Sequence, residues 1–172
     1  MNTVKPEYHP NRSKVTQLFV AGFFATLAML MVGFLLSVAN VDTDFARLMG
    51  TLSWGATPVE VFSSGWWVGL VWHFFNGTVL FSLLFDFFAD RQYLTSMRWV
   101  KGAVWGVALW LFFEGVVRPL AGQGFFSNVT GNPWGTVVGS LLAWSAYGFV
   151  LESMTRLRVV HELHLAHPRR AA

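Results

Sequence analysis

The chain has 172 residues, no cysteine and a formal net charge of +3; 54% of it is hydrophobic and only 12% is charged. Soluble domains carry about a quarter charged residues, and a chain this short has too little interior to hide that much apolar surface from water. Disulfides, thiolate metal sites and cysteine nucleophiles are excluded, and the basic balance follows a membrane pattern, so nucleic acid is not an expected partner.

Residues 1–14 form a polar leading segment. The apolar run behind it is too long for a signal peptide and has no small-residue cleavage pattern, so it is predicted to stay as a first helix over about 15–41. Residues 42–62 form the longest connection. In it Phe45, Leu48, Met49 and Leu52 recur at helical spacing, which fits either an amphipathic helix on the membrane surface or an ordinary capped loop helix. A second helix is predicted over 61–87, with His73 inside it, and a third over 99–120, with Glu114 and Arg118 near its end. The short link between them predicts a close antiparallel pair. Loop 119–133 is rich in Gly and Asn and uncharged between its ends, and Phe125 and Phe126 are expected to dip into the membrane interface. The fourth helix is predicted over 134–155, continued by a basic tail, 156–172, that reaches anionic lipid.

A hydrocarbon core of ~30 Å needs roughly 20 helical residues. Each run comes close to that, and none alternates as a membrane strand would. Helices also satisfy their own backbone groups, as lipid demands. The expected fold is therefore all-α and polytopic, with four transmembrane helices in an antiparallel bundle over 15–155. Lys5, Arg12, Lys14, Arg91, Arg98, Lys101, Arg156, Arg158, Arg169 and Arg170 fall on one side, against Arg47 and Arg118 on the other. That asymmetry puts both termini in the cytoplasm.

Small residues recur every four positions and so share helix faces. Gly65, Gly69, His73 and Gly77 form one stripe, Gly102 and Gly106 lead to Trp110, Glu114 and Arg118, and Gly131, Gly135 and Gly139 lead to Ala143. Such stripes let helix backbones approach in lipid. Gly77-Thr78-Val79 and Ser82-Leu83-Leu84 echo Gly135-Thr136-Val137 and Ser140-Leu141-Leu142, as two tandem hairpins would.

His73 lies thirteen residues from Asp86, and Glu114 thirteen from Lys101, so each sits ~20 Å from the same boundary. The two are predicted to meet, with Asn76 and Arg118 each one turn away. Ionisable groups at that depth are functional candidates by default: the cluster His73, Asn76, Glu114 and Arg118 can relay protons, ligate a haem or other metal, or hold a quinone. It can equally be a structural clamp or an interfacial pair. A bis-histidine haem is not expected, because His73 is alone in the membrane. His161, His164 and His167 drift by about 60° per step around a helix, so only neighbours can share a metal, which makes His161 and His164 the other metal candidates.

Three sequons, Asn11-Arg12-Ser13, Asn76-Gly77-Thr78 and Asn128-Val129-Thr130, occur, the first two in cytoplasmic or intramembrane positions. No phosphate loop, nucleophile elbow or zincin motif is present. The leading expectation is a non-enzymatic accessory subunit of a larger membrane complex, such as a respiratory oxidoreductase, in contact with lipids and other integral membrane subunits. A small transporter or proton-conducting bundle, and a single-haem or quinone-binding module, are the alternatives; a homo-oligomer suits any of them.

Val20-Ala21-Gly22-Phe23-Phe24-Ala25-Thr26, His73-Phe74-Phe75-Asn76-Gly77, Lys101-Gly102 with Gly106, and Arg118-Pro119-Leu120-Ala121-Gly122 together resemble a family of uncharacterised small bacterial four-helix membrane proteins. The resemblance implies the fold and no activity. The long connection 42–62 and the histidine-containing tail depart from that pattern.

Overall fold

The structure, a computed structural model, describes residues 12–55, 57–89 and 100–166, the side chains of 12, 13, 89 and 156–166 excepted. Much of the predicted leading segment, the link between the second and third helices, and His167 lie outside the described residues. So do the side chains of His161 and His164.

Every regular element among the described residues is helical: α1 (Arg12–Val38), α2 (Phe45–Ser53), α3 (Ser64–Phe75), α4 (Phe81–Ala89), α5 (Val100–Phe112), α6 (Arg118–Leu120) and α7 (Pro133–Ala166). Two π-helical turns, Asn76–Leu80 and Phe113–Val117, join α3 to α4 and α5 to α6. Four stretches are long and apolar enough to cross a membrane: Lys14–Val38 (span 1), Ser64–Phe88 (span 2), Val100–Leu120 (span 3) and Pro133–Thr155 (span 4). Met31, Phe34, Val71 and Leu120 are each about two-thirds exposed on the outside of the bundle. Facing water, such side chains would each cost about 1.5–3 kcal/mol, whereas hydrocarbon accepts them.

The span ends follow local chemistry. α1 stops at Val38 because the chain turns at Asn40 (φ 59°) and the Val41 amide closes back on the Leu36 carbonyl. Asn tolerates that left-handed conformation. α3 starts at Ser64, capped by the Ser63 hydroxyl, which accepts from the Trp66 amide at 3.3 Å.

The packing order is span 2, span 1, span 4, span 3. The spacing of glycines explains the inner contacts. A Cβ on Gly102 would lie 2.5 Å from the Gly148 carbonyl oxygen, and one on Gly106 2.6 Å from that of Trp144, so spans 3 and 4 touch backbone to backbone. A Cβ on Gly22 would lie 2.7 Å from the Thr78 carbonyl oxygen, which fixes span 1 against the π turn of span 2. Lys14 and Asp86 pair at 3.0 Å where those two spans end.

Spans 2 and 3 are not the close pair that their short link predicts. They meet through side chains, Phe85 and Phe88 on Trp105 and Phe81 on Phe113, with ring centroids 5.8–6.0 Å apart. The reason is α2. Rather than lying on the membrane surface, it is folded into the bundle, with Phe45, Ala46, Leu48, Met49, Gly50 and Thr51 buried. It packs along span 2, where Gly69 makes room for Ala46 and Gly50, and Gly50 in turn lies against the Gly65 carbonyl.

Asp44 holds the start of α2 in place. Its carboxylate accepts from the Arg47 amide at 2.9 Å and from the Trp66 indole at 3.0 Å. Removing an N-cap acceptor costs about 0.5–2 kcal/mol, and here the link to span 2 goes with it. Asp44→Ala is expected to lower the thermal unfolding midpoint in lipid nanodiscs, and Asp44→Asn, which keeps an acceptor oxygen, to restore most of it.

Candidate functional site

The side chains predicted to cluster separate into two sites. Glu114 is fully buried in the π turn of span 3. One carboxylate oxygen accepts from Arg118 Nε at 2.7 Å and from the Ser140 hydroxyl at 2.6 Å; the other accepts from the Ser127 hydroxyl at 2.8 Å. Arg118, only 4% exposed, also donates to the Gln123 side-chain oxygen. The Trp110 indole donates toward Ser140 and the Val137 carbonyl. The ion pair is thus enclosed by span 3, span 4 and the loop between them, and is not exposed on the outside of the bundle. An isolated charge would be prohibitive here, but three donors on one carboxylate offset its desolvation.

The loop is shaped to deliver Ser127. Gly122 and Gly124 take positive φ, and so do Phe126 (47°) and Ser127 (57°). For residues with side chains that conformation costs of order 1–3 kcal/mol. The buried hydrogen bond to Glu114 holds it. Phe126 packs on Trp110 at 5.7 Å, while Phe125 remains 65% exposed. Hydrogen bonds to charged groups contribute about 1.5–3 kcal/mol, so Ser127→Ala should lower stability by about 2 kcal/mol in chemical unfolding. Ser127→Gly loses the same bond but relaxes the backbone, and should cost less; equal losses would show that the strain is absent.

His73 is not among the partners of Glu114. It is 4% exposed and lies face to face with Phe45, centroids 5.6 Å apart and planes at 10°. Phe45 also touches Phe113 and Trp144, so the ring packed on His73 belongs to an aromatic cluster and not to the polar site. His73 Nε2 has no hydrogen-bond partner among the described residues. Nor does any group of three His, Cys, Asp or Glu side chains form there to hold a metal.

The remaining glycines have mixed partners. Gly77 faces Thr26 of span 1; Gly139 faces Val41, Thr43 and Leu36; Gly135 lies closest to Asn132, its own helix cap. The echoed motifs therefore sit in unlike surroundings. Tyr147, fully buried on span 4, donates to the Gly77 carbonyl at 2.6 Å, tying span 4 to the π turn of span 2.

Asn76 opens the second site. It begins that π turn and lines a groove of about 370 Å³ between spans 2 and 3. Phe81, Leu109, Phe113 and Met49 form the floor, and Leu80, Leu84 and Phe112 form a rim exposed at the bundle surface. A neighbouring cavity of about 410 Å³ shares Met49, Leu52 and Asn76 and adds Ser53 and Trp72.

Residues 13–164 match the model of DUF6789, a family of unknown function. The chain belongs to that family. Neither a curated protein nor a solved structure matches it. In this DUF6789 member, reasoning from sequence missed Ser127, Ser140, Gln123 and Phe45. The available signals were two hydroxyls in otherwise apolar or uncharged surroundings and an amphipathic period in the first loop. The π turns had a fainter one: each contains a glycine, Gly77 or Gly115.

Proposed function

We propose that this multi-pass membrane protein is a non-enzymatic accessory subunit that joins a larger membrane complex sideways, through its spans. The enclosure of Glu114 carries the reading: its carboxylate is spent on Arg118, Ser127 and Ser140, as in a clamp that fixes helix register. Around that clamp the bundle presents large apolar side chains in every direction, including Phe34, Val71, Leu120 and Trp134. Such a surface suits contact with lipids and other integral membrane subunits. The proton-conducting alternative has less support, because His73 Nε2 has no hydrogen-bond partner among the described residues and the acceptors on Glu114 are taken up by Arg118, Ser127 and Ser140.

Gentle purification from native membranes, followed by mass spectrometry of what accompanies the chain, tests the proposal. Stoichiometric membrane subunits are expected, and redox subunits among them would make the complex a respiratory oxidoreductase. A lone oligomer that passes protons in liposomes, and loses that activity in Glu114→Gln, would replace this reading with the conducting one.

The proposal includes both termini on the cytoplasmic face of a bacterial inner membrane. Single cysteines at Lys101 and Arg156 should then react with an impermeant maleimide from the same side. Labelling from opposite sides refutes that orientation.

A further inference from the structure

We propose that the groove between spans 2 and 3 binds a neutral, hydrocarbon-soluble molecule whose ring carbonyl accepts a hydrogen bond from the Asn76 side-chain amide, the chemistry of an isoprenoid quinone. The site is distinct from His73, which Phe45 covers. It does not rest on the accessory-subunit reading.

Depth is the first argument. Asn76 is twelve residues from each end of span 2, Ser64 and Phe88, or about 18 Å at the helical rise. That is the midplane of a ~30 Å hydrocarbon core. Water does not pair with an amide there, and leaving one unpaired costs a few kcal/mol. Yet the hydrogen-bond partner of the Asn76 amide nitrogen is the Met49 thioether, at 3.9 Å, and sulfur of this kind is a weak acceptor. The groove therefore holds hydrogen-bonding capacity that the chain itself leaves largely unused.

The lining selects the chemistry. No charged side chain borders the groove, so the ligand is neutral. Phospholipid ester carbonyls sit near the headgroups, ~15 Å from the midplane, and do not reach Asn76. The volume falls within the ~300–1,000 Å³ typical of ligand pockets. The aromatic floor of Phe81 and Phe113 suits a flat ring. The open rim of Leu80, Leu84 and Phe112 lets a prenyl tail leave into the bilayer. Asn offers a donor to a carbonyl and an acceptor to a hydroxyl, so both the quinone and the quinol form can be held.

Both walls also carry a π turn: Asn76 and Leu80 begin and end one, and Phe113 and Val117 the other, and all four line the groove. Isolated π turns occur frequently at functional sites. A second copy of this chain docking groove to groove would set one concave surface against another and fill neither.

The probe is a benzoquinone with a decyl tail, titrated into the protein in lipid nanodiscs. The readout is tryptophan quenching, with Trp72→Phe identifying the share from the indole beside Asn76. Saturable quenching is expected. Asn76→Leu should weaken it at least tenfold, and Leu84→Phe, which narrows the groove from its rim and adds no indole, should weaken it as well with the unfolding midpoint unchanged. Quenching that rises linearly with quinone in wild type, or affinity unchanged in both Asn76→Leu and Leu84→Phe, overturns the proposal. A photo-crosslinker at Leu80 in native membranes should yield a small lipid-soluble adduct. A polypeptide adduct there would mean that the groove seats a partner helix instead. Purification without partners would leave this inference standing, and absence of saturable binding would leave the accessory reading standing.

Discussion

Glu114→Leu is expected to remove about 3–5 kcal/mol of stability, the cost of leaving one member of a buried pair without the other. Arg118 is the reason. It is 4% exposed, so its guanidinium would keep its charge with Gln123 as its remaining side-chain partner, while Ser127 and Ser140 would lose their acceptor. Glu114→Gln keeps the shape and one acceptor oxygen and should fall between. The decisive comparison is the double variant Glu114→Leu with Arg118→Leu. Apolar replacements of a whole buried pair are often neutral or better, so the double variant should be more stable than Glu114→Leu alone. Chemical unfolding in nanodiscs reads all three. A Glu114→Leu protein as stable as wild type would mean that the pair is solvated and that the clamp does not exist.

The second large effect belongs to Gly69→Leu. A Cβ at Gly69 would run into the backbone of α2 at Ala46 and Gly50. Backbone cannot rotate aside as a side chain can, so the Leu side chain has to drive α2 out of the bundle. Phe45 would then leave its place against His73, Phe113 and Trp144, and losing a buried Phe from a core costs about 3–5 kcal/mol. The expected outcome is a large loss of folded protein, with a cysteine at Met49 becoming reactive toward maleimide. Gly115→Ala is the control: nothing lies within 4 Å of its Cβ position, and its unfolding should stay close to wild type. If Gly69→Leu also behaves as wild type, α2 lies elsewhere.

The two substitutions mark where sequence reasoning succeeds and where it stops. Glu114 and Arg118 are four residues apart on one helix, and local geometry alone makes them neighbours. Ser127 and Ser140 come from a loop and another span, and nothing in the spacing of the sequence points them at Glu114. The expected meeting of His73 with Glu114 fails for an instructive reason. Equal counts of residues along two helices speak to height alone, and the neighbour that packs on the His73 ring is Phe45, from the first loop. The glycine stripes show the same division. Gly69, Gly102 and Gly106 do lie where backbones approach, yet Gly69 meets α2, and Gly65 meets Val59 and Trp54 just beyond it, rather than span 3.

What the sequence determines by itself is one-dimensional. Runs of 21–25 apolar residues require a solvent of hydrocarbon, hydrocarbon requires helices, and the Glu114–Arg118 register follows from the helical repeat. The order of the spans, the insertion of α2 and the groove at Asn76 were decided only in three dimensions. In lipid no difference in hydrophobicity tells one apolar face from another, so the choice falls to shape: which glycine meets which backbone, and which ring fills the remaining space.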